Sequence, residues 1–257
     1  FTIRNSSVFF GDDYGYDYLM DMCGVIISSG TSFRNISNVC IFNNKFVDNQ
    51  YNIKFEMQSF SNHVSDVQIY DNEIIVEDIF EDTYGEVGGG VICDGNGVFI
   101  EDVDNIYDFE IYDNTVTIFG SNCSAILVGG RKHTIQNNQI TQSSANKGRI
   151  YGVIGDFYDC IIHDNDMVFE SDESIALQIS SSDNIISNNT VTSSGGVLYY
   201  SVAPAGVNII RDNVFTSNGE NVSIYCQYES GNVSTECFYH TNFFNLGSIE
   251  LVNNYWS

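Results

Sequence analysis

The sequence predicts an all-β solenoid, one body over residues 1–257 built from about nine to ten stacked coils of about 24 residues with inserted loops. Three observations predict it. The first is a phrase, Ile-x-(Asn/Asp)-Asn-x-apolar, that returns seven times, anchored at Ile41, Ile69, Ile111, Ile135, Ile162, Ile186 and Ile210. Three places after each anchor stands Asn44, Asn72, Asn114, Asn138, Asn165, Asn189 or Asn213, and two places further on Phe46, Ile74, Val116, Ile140, Met167, Val191 or Phe215. The second is the spacing of those asparagines, which from Asn114 onward is 24, 27, 24 and 24 residues, with other intervals of 28, 42 and 41. The short interval reads as one coil and the long ones as coils carrying loops. The third is that no stretch of ten residues shows an apolar period of 3.6, so the unit is made of strands.

Taken in order, the chain opens on a degenerate copy of the phrase, Ile3-x-Asn5-Ser6-x-Val8. The excursion over 11–22 alternates acid and tyrosine. Tyr14, Tyr16 and Tyr18 offer ring faces there, while Asp12 and Asp13 offer hydrogen-bond acceptors, which makes this loop the candidate glycan contact. After the coils anchored at Ile41 and Ile69 comes a second acidic stretch, with Glu77, Asp78, Glu81 and Asp82, and Glu101 and Asp102 follow it. No cofactor is required. Calcium is an optional ligand of these acids, since it takes six to eight oxygens, and a solvated acidic face is the plainer reading of the same residues.

From Ile111 onward the coils are regular. Apolar runs such as 125–128 and 174–179 are short and separated by Gly, Ser, Asn and Asp, as strands and turns require. In the Asn189 coil the strands read as 190–192, 197–201 and 207–210, with turns at 193–196 and 204–206. The paired Asn/Asp marks a corner with left-handed backbone, and coils stacked about 4.8 Å apart set each asparagine over the last so that the amides bond in a ladder. Asn44, Asn72, Asn114, Asn138, Asn165, Asn189 and Asn213 are therefore structural. Replacing Asn189 by Leu is expected to remove the left-handed corner and its ladder partners at about 2 kcal/mol or more, against under about 0.5 kcal/mol for Asp183 in a polar turn.

The last long coil carries Cys226 and Cys237, which flank an excursion over 227–236 and can close it as a disulfide. Seven cysteines leave at least one free thiol, and none stands in Cys-x-x-Cys or at zinc spacing. Six sequons, at Asn5, Asn35, Asn122, Asn188, Asn221 and Asn232, are glycosylation candidates, with Asn221 and Asn232 favoured by their loop-rich setting. The chain closes on Leu251-x-Asn253-Asn254-x-Trp256.

Charge narrows the partners. Thirty-four acidic against nine basic residues give −25, which disfavours nucleic acid and anionic membrane surfaces and sets polygalacturonate aside unless calcium bridges the charges. No apolar run has transmembrane length. Because the chain begins inside a coil and stops on a repeat, it is expected to be a processed or excised part of a longer surface protein.

This grammar resembles the right-handed, single-stranded parallel β-helix of pectate-lyase-type proteins, and most of all the NosD-type or CASH (carbohydrate-binding and sugar-hydrolase) repeats. The ending Leu251-Val252-Asn253-Asn254-Tyr255-Trp256-Ser257 is similar to the Asn-Tyr-Trp closings of adhesin-like surface proteins of methanogenic archaea. The resemblance implies an extracellular, cell-surface protein that binds glycans or other surface proteins, or associates head to tail with copies of itself into a filament. A polysaccharide lyase or glycoside hydrolase of the pectate-lyase-like class is the alternative. A polygalacturonase-like site would carry Asn-Thr-Asp, Asp-Asp, Gly-His-Gly and Arg-Ile-Lys, and only Asp12-Asp13 is present. A lyase base would have to come from Arg131, Lys132 or Arg149, which have no acids beside them in sequence. No catalytic residue is assigned. The association of NosD-like proteins with copper draws attention to Met20, Met22, Cys23, His63, His133, His163 and His240, which are too dispersed to predict a copper site.

Overall fold

The computed structural model describes residues 2–4, 7–9, 23–29, 35–47, 51–57, 63–76, 95–100, 105–119, 123–142, 150–171, 174–179, 183–193, 196–201, 207–217, 222–227, 234–237, 248–252 and 255–256. These residues form strands and turns, with no helix among them. The strands fall into three nine-stranded sheets, and the chain visits the sheets in turn, which is the topology of a solenoid. Sheet A runs from Thr2–Arg4 and Ile36–Phe42 to Val207–Arg211 and Ser248–Val252, and sheet B from Ser7–Phe9 to Tyr255–Trp256. Sheet C runs from Cys23–Ser29 to Val222–Gln227 and ends on Ser234–Cys237. Neighbours are parallel throughout, except that the last strand of sheet C pairs antiparallel with the one before it.

Register follows the repeated phrase. Ile41, Ile69, Ile111, Ile135, Ile162, Ile186 and Ile210 are successive partners in sheet A, and every one is fully buried. In sheet B the partners run Phe46, Ile74, Val116, Ile140, Met167, Val191 and Phe215. The degenerate copies join the same columns, with Ile3 opposite Ile41 and Val8 opposite Phe46 at one end, and Leu251 opposite Ile210 and Trp256 opposite Phe215 at the other. Apolar side chains of all three sheets meet in one core, which phenylalanines such as Phe46, Phe55, Phe109 and Phe169 fill. Stacking of like on like explains the recurrence: a residue that fits the column once fits it again one coil on.

The corners differ from the sequence expectation in one respect. The left-handed residue is the first of each Asn/Asp pair, at Asn43, Asp71, Asp113, Asn137, Asp164, Asn188 and Asp212, with φ between 53 and 57. The ladder asparagine comes after it. A second left-handed column lies six residues before each ladder asparagine from Asn44 to Asn189, at Asn38, Asp66, Asp108, Lys132, Asp159 and Asp183. Asp183, expected to be a replaceable turn residue, has φ 64; from Phe109–Tyr112 to Ile185–Ser187 the two columns bracket the strands of sheet A, whereas Asn38 and Asp66 lie within theirs.

Candidate functional site

Each ladder asparagine is held by backbone and amide together. Asn138 donates from Nδ2 to Asn165 Oδ1 at 3.0 Å, to Ile111 O at 2.9 Å and to Gln136 O at 3.0 Å, and its backbone N–H donates to the same Asn165 oxygen at 3.0 Å. Amide-to-amide bonds of 2.9–3.1 Å link Asn44, Asn72, Asn114, Asn138, Asn165, Asn189 and Asn213 without a break. All seven are buried, which commits them to the fold and leaves them nothing to offer a ligand.

A shorter ladder follows the second left-handed column. Phe109 N–H donates to His133 Nδ1 at 3.2 Å, His133 N–H to Cys160 Sγ at 3.2 Å, and Cys160 N–H to Asn184 Oδ1 at 2.9 Å. His133 Nδ1 accepts, so the proton sits on Nε2 and points to Gly129 O at 2.9 Å. Burial is the main reason the imidazole falls from 6.5 to about 4, against the Gly129 carbonyl, which works the other way. Burial also pushes the Cys160 thiol up to about 12, although backbone hydrogen bonds from His133 and Lys132 partly offset it. A neutral imidazole and an un-ionised thiol packed in the interior act as polar struts.

Side chains that face outward are the ones that can meet a ligand, and on sheet A they line a groove of about 460 Å³. One wall is the left-handed column Asn38, Asp66, Asp108 and Lys132, and the floor is the in-register row Cys40, Gln68, Glu110 and Thr134. Gln68 Nε2 donates to Glu110 Oε2 at 2.9 Å, and Ser65 Oγ to Asp66 Oδ2 at 3.1 Å. Beside the floor row, Phe42, Tyr70 and Tyr112 stack with centroids 4.8 Å apart and planes within 4°. Their stacked faces cover one another within the row. Burial first, then Tyr70 and Glu110, raise the Tyr112 phenol, so it stays a hydrogen-bond donor. Further along, the floor row turns apolar as Thr134 gives way to Ile161, Ile185 and Ile209, and Tyr158 stands 44% exposed at the adjoining corner.

Carboxylates, an amide, phenols and one ammonium along a groove can exchange hydrogen bonds with a polyhydroxylated ligand. Among the described residues no group of three or more His, Cys, Asp or Glu is placed to hold a metal ion. Asp12, Asp13, Tyr14, Tyr16 and Tyr18 of the candidate glycan loop lie outside the described residues, as do the calcium candidates Glu77, Asp78, Glu81, Asp82, Glu101 and Asp102 and the sequons at Asn5, Asn122, Asn221 and Asn232. Asn35 is exposed, and Asn188 is an exposed left-handed corner. In the terminal hairpin Cys226 stands opposite Thr235 and Cys237 opposite Ile224, two positions out of direct opposition. Of the dispersed soft donors, Met20, Met22 and His240 lie outside the described residues, while His133 is committed to its ladder.

Arg131 and Lys132 are both exposed, with the Arg131 guanidinium 5.8 Å from the Tyr107 ring centroid and only Lys132 lining the groove. Sequence reading passed over Gln68, Glu110, Asp66 and Asp108. Their signal is positional, because Asp66 and Gln68 stand six and four places before Asn72 as Asp108 and Glu110 stand before Asn114, and aligning the repeats on those asparagines exposes them.

The family model described as right handed beta helix region matches residues 89–255. No curated protein matches, and no solved structure matches.

Proposed function

Because this chain belongs to the right handed beta helix family, we propose that it is an extracellular, cell-surface protein of adhesin-like or structural role that binds saccharide along the outward groove of sheet A. The observation that carries the reading is the groove itself, where Asp66, Gln68, Asp108 and Glu110 repeat hydrogen-bonding groups from coil to coil on a rigid sheet. A repeating wall of acceptors suits a repeating chain of hydroxyls, and a preformed sheet face binds without ordering a loop first. The net charge of −25 supports neutral or sparsely charged glycans over polyanions. The acid-and-tyrosine loop over 11–22, the calcium candidates and the glycosylated sequons belong to this proposal as additional contacts and decorations.

A glycan array probed with the intact chain and with a Gln68→Ala, Glu110→Ala double variant tests it. The chain is expected to bind at least one saccharide class, and the double variant to bind it about tenfold more weakly with an unchanged circular dichroism spectrum. Failure to bind any saccharide, or equal binding by the variant, removes the groove reading. Release of reducing ends or unsaturated sugars during incubation would move the assignment to the carbohydrate-active alternative.

A further inference from the structure

Lys132 breaks the rule of its column. Asn38, Asp66, Asp108, Asp159 and Asp183 hold the same left-handed corner, and Lys132 holds it at φ 59 with a side chain that gains nothing from that backbone. Asn and Asp tolerate the conformation because their short polar groups bond locally, whereas lysine bears the steric penalty without compensation. Strain of this kind clusters where a side chain serves a function. Here the side chain is exposed and lines the groove, and among the described residues Lys132 makes no ion pair, although Asp108 and Asp159 flank it along the column. Its neighbour Arg131 turns toward the Tyr107 ring, so Lys132 is the cation that the groove presents.

We propose that Lys132 determines specificity by receiving one anionic substituent, a carboxylate or sulfate, of a saccharide whose hydroxyls lie along Asp66, Gln68, Asp108 and Glu110. This rests on the saccharide-binding reading of the groove. The geometry polarises the site. The carboxylates Asp66, Asp108 and Glu110 repel an anion along the groove, and Lys132, beside the point where the floor row passes from Glu110 to Thr134 and then Ile161, is the lining group that attracts one, against Asp108 and Asp159 on either side of it in the column. An isolated charge on an otherwise neutral glycan fits that arrangement, and a polyanion does not.

The test compares the intact chain with Lys132→Asn, Lys132→Gln and Lys132→Arg on an array of matched glycans, such as lactose and sialyllactose, that differ in one carboxylate or one sulfate. The intact chain and Lys132→Arg should favour the charged member of the pair it recognises by about tenfold at low salt, and the Asn and Gln variants should bind both members equally. Lys132→Asn should also melt roughly 2 °C higher, because it restores the residue that the corner prefers. The opposite signs in binding and stability are the signature. If the chain binds saccharides without regard to charge, or the Asn variant keeps the preference, this inference fails while the groove reading stands. A lower melting point in Lys132→Asn would mean that lysine serves the column by separating Asp108 from Asp159, which also overturns it. Absence of any glycan binding fails the groove reading itself.

Discussion

Asn189 is gripped from both adjoining coils: its Nδ2 donates to Ile162 O at 2.9 Å, Ser187 O at 3.1 Å and Asn213 Oδ1 at 3.0 Å, while its own Oδ1 accepts from Asn165 Nδ2 at 2.9 Å and Asn165 N–H at 3.0 Å. Leucine at 189 removes the acceptor of the buried Asn165 N–H and one bond each from Ile162 O, Ser187 O, Asn165 Nδ2 and Asn213 Oδ1, although Ser187 O keeps the Asp164 N–H and Asn213 Oδ1 keeps the backbone N–H of residue 189, so a loss on the order of 2–4 kcal/mol is expected from urea titration. The left-handed backbone plays no part in that cost, since it belongs to Asn188. It does set the cost at Asp183, where a β-branched replacement such as Val should lose about 1–2 kcal/mol despite the exposed position. A loss within about 0.5 kcal/mol, the ordinary scatter of surface changes, would mean that the corner relaxes. His133 supplies a pH dependence. Unfolded, it titrates near 6.5, and folded near about 4, so between those values the unfolded chain holds the extra proton. Stability from this group is full above pH 6.5 and falls as pH drops toward 4, by about 2 kcal/mol between about pH 7.5 and about pH 5. Cys160, the thiol above it in the ladder, is pushed up to about 12 and stays neutral over that range. His133→Asn, which keeps an acceptor for Phe109 N–H, should lose that share of the acid sensitivity; identical pH profiles for the two proteins would rule out His133 as its source.

At the scale of elements, strand limits follow turn residues closely. The Asn189 coil has Thr190–Ser193, Gly196–Ser201 and Val207–Arg211, each within one residue of the limits that Ser, Gly and Pro punctuation suggests. Alternation is a poorer guide on sheet C. Tyr151 and Ile154 are only 3% exposed and form a second apolar cluster with Leu127 and Ile175, outside the main core. A pattern of two tells which residues leave the core face and cannot tell what covers the other face. Gly130 in the strand Cys123–Arg131 depends equally on neighbours. Its φ is 100, and a Cβ there would sit 2.3 Å from Ile106 O, which is held in place by the Arg131 N–H at 3.1 Å. Gly130→Ala should therefore cost about 2–4 kcal/mol, as a forced shift in a paired strand does, while Thr141→Ala on the exposed face of sheet B should stay within about 0.5 kcal/mol. Similar denaturation midpoints for the two would mean that the corner at Ile106 yields easily.

The whole molecule sets its stacked strands against its charge. At one end the three sheets finish, among the described residues, on Thr2–Arg4, Ser7–Phe9 and Cys23–Ser29, and at the other on Ser248–Val252, Tyr255–Trp256 and the reversed Ser234–Cys237. Parallel edges template further strands, and the reversed strand offers an added copy a different edge in sheet C. Association of copies, if end to end, is heterologous. A net charge of −25 opposes it at low ionic strength. Sedimentation is expected to give the smallest particle at about 0.02 M salt and larger ones at about 0.5 M, where the Debye length shortens to a few ångströms. One unchanging particle size across that range would remove self-association and leave the groove as the contact surface.

By itself the sequence determined the solenoid, the strand-built coil, the isoleucine column and the asparagine ladder, because stacked coils repeat a local environment and a repeated environment selects a repeated residue. The ladder could be read from Asn44 to Asn213 since each member solves the same bonding problem. Only the tertiary structure decided which member of each Asn/Asp pair is left-handed, that Val39, Val67, Phe109, His133, Cys160 and Asn184 share one interior column, and that Asp66, Gln68, Asp108, Glu110 and Lys132 share one groove. Those residues lie up to 42 positions apart in bonded pairs, and their kinship depends on how much chain each coil spends in loops, a length that strand register alone resolves.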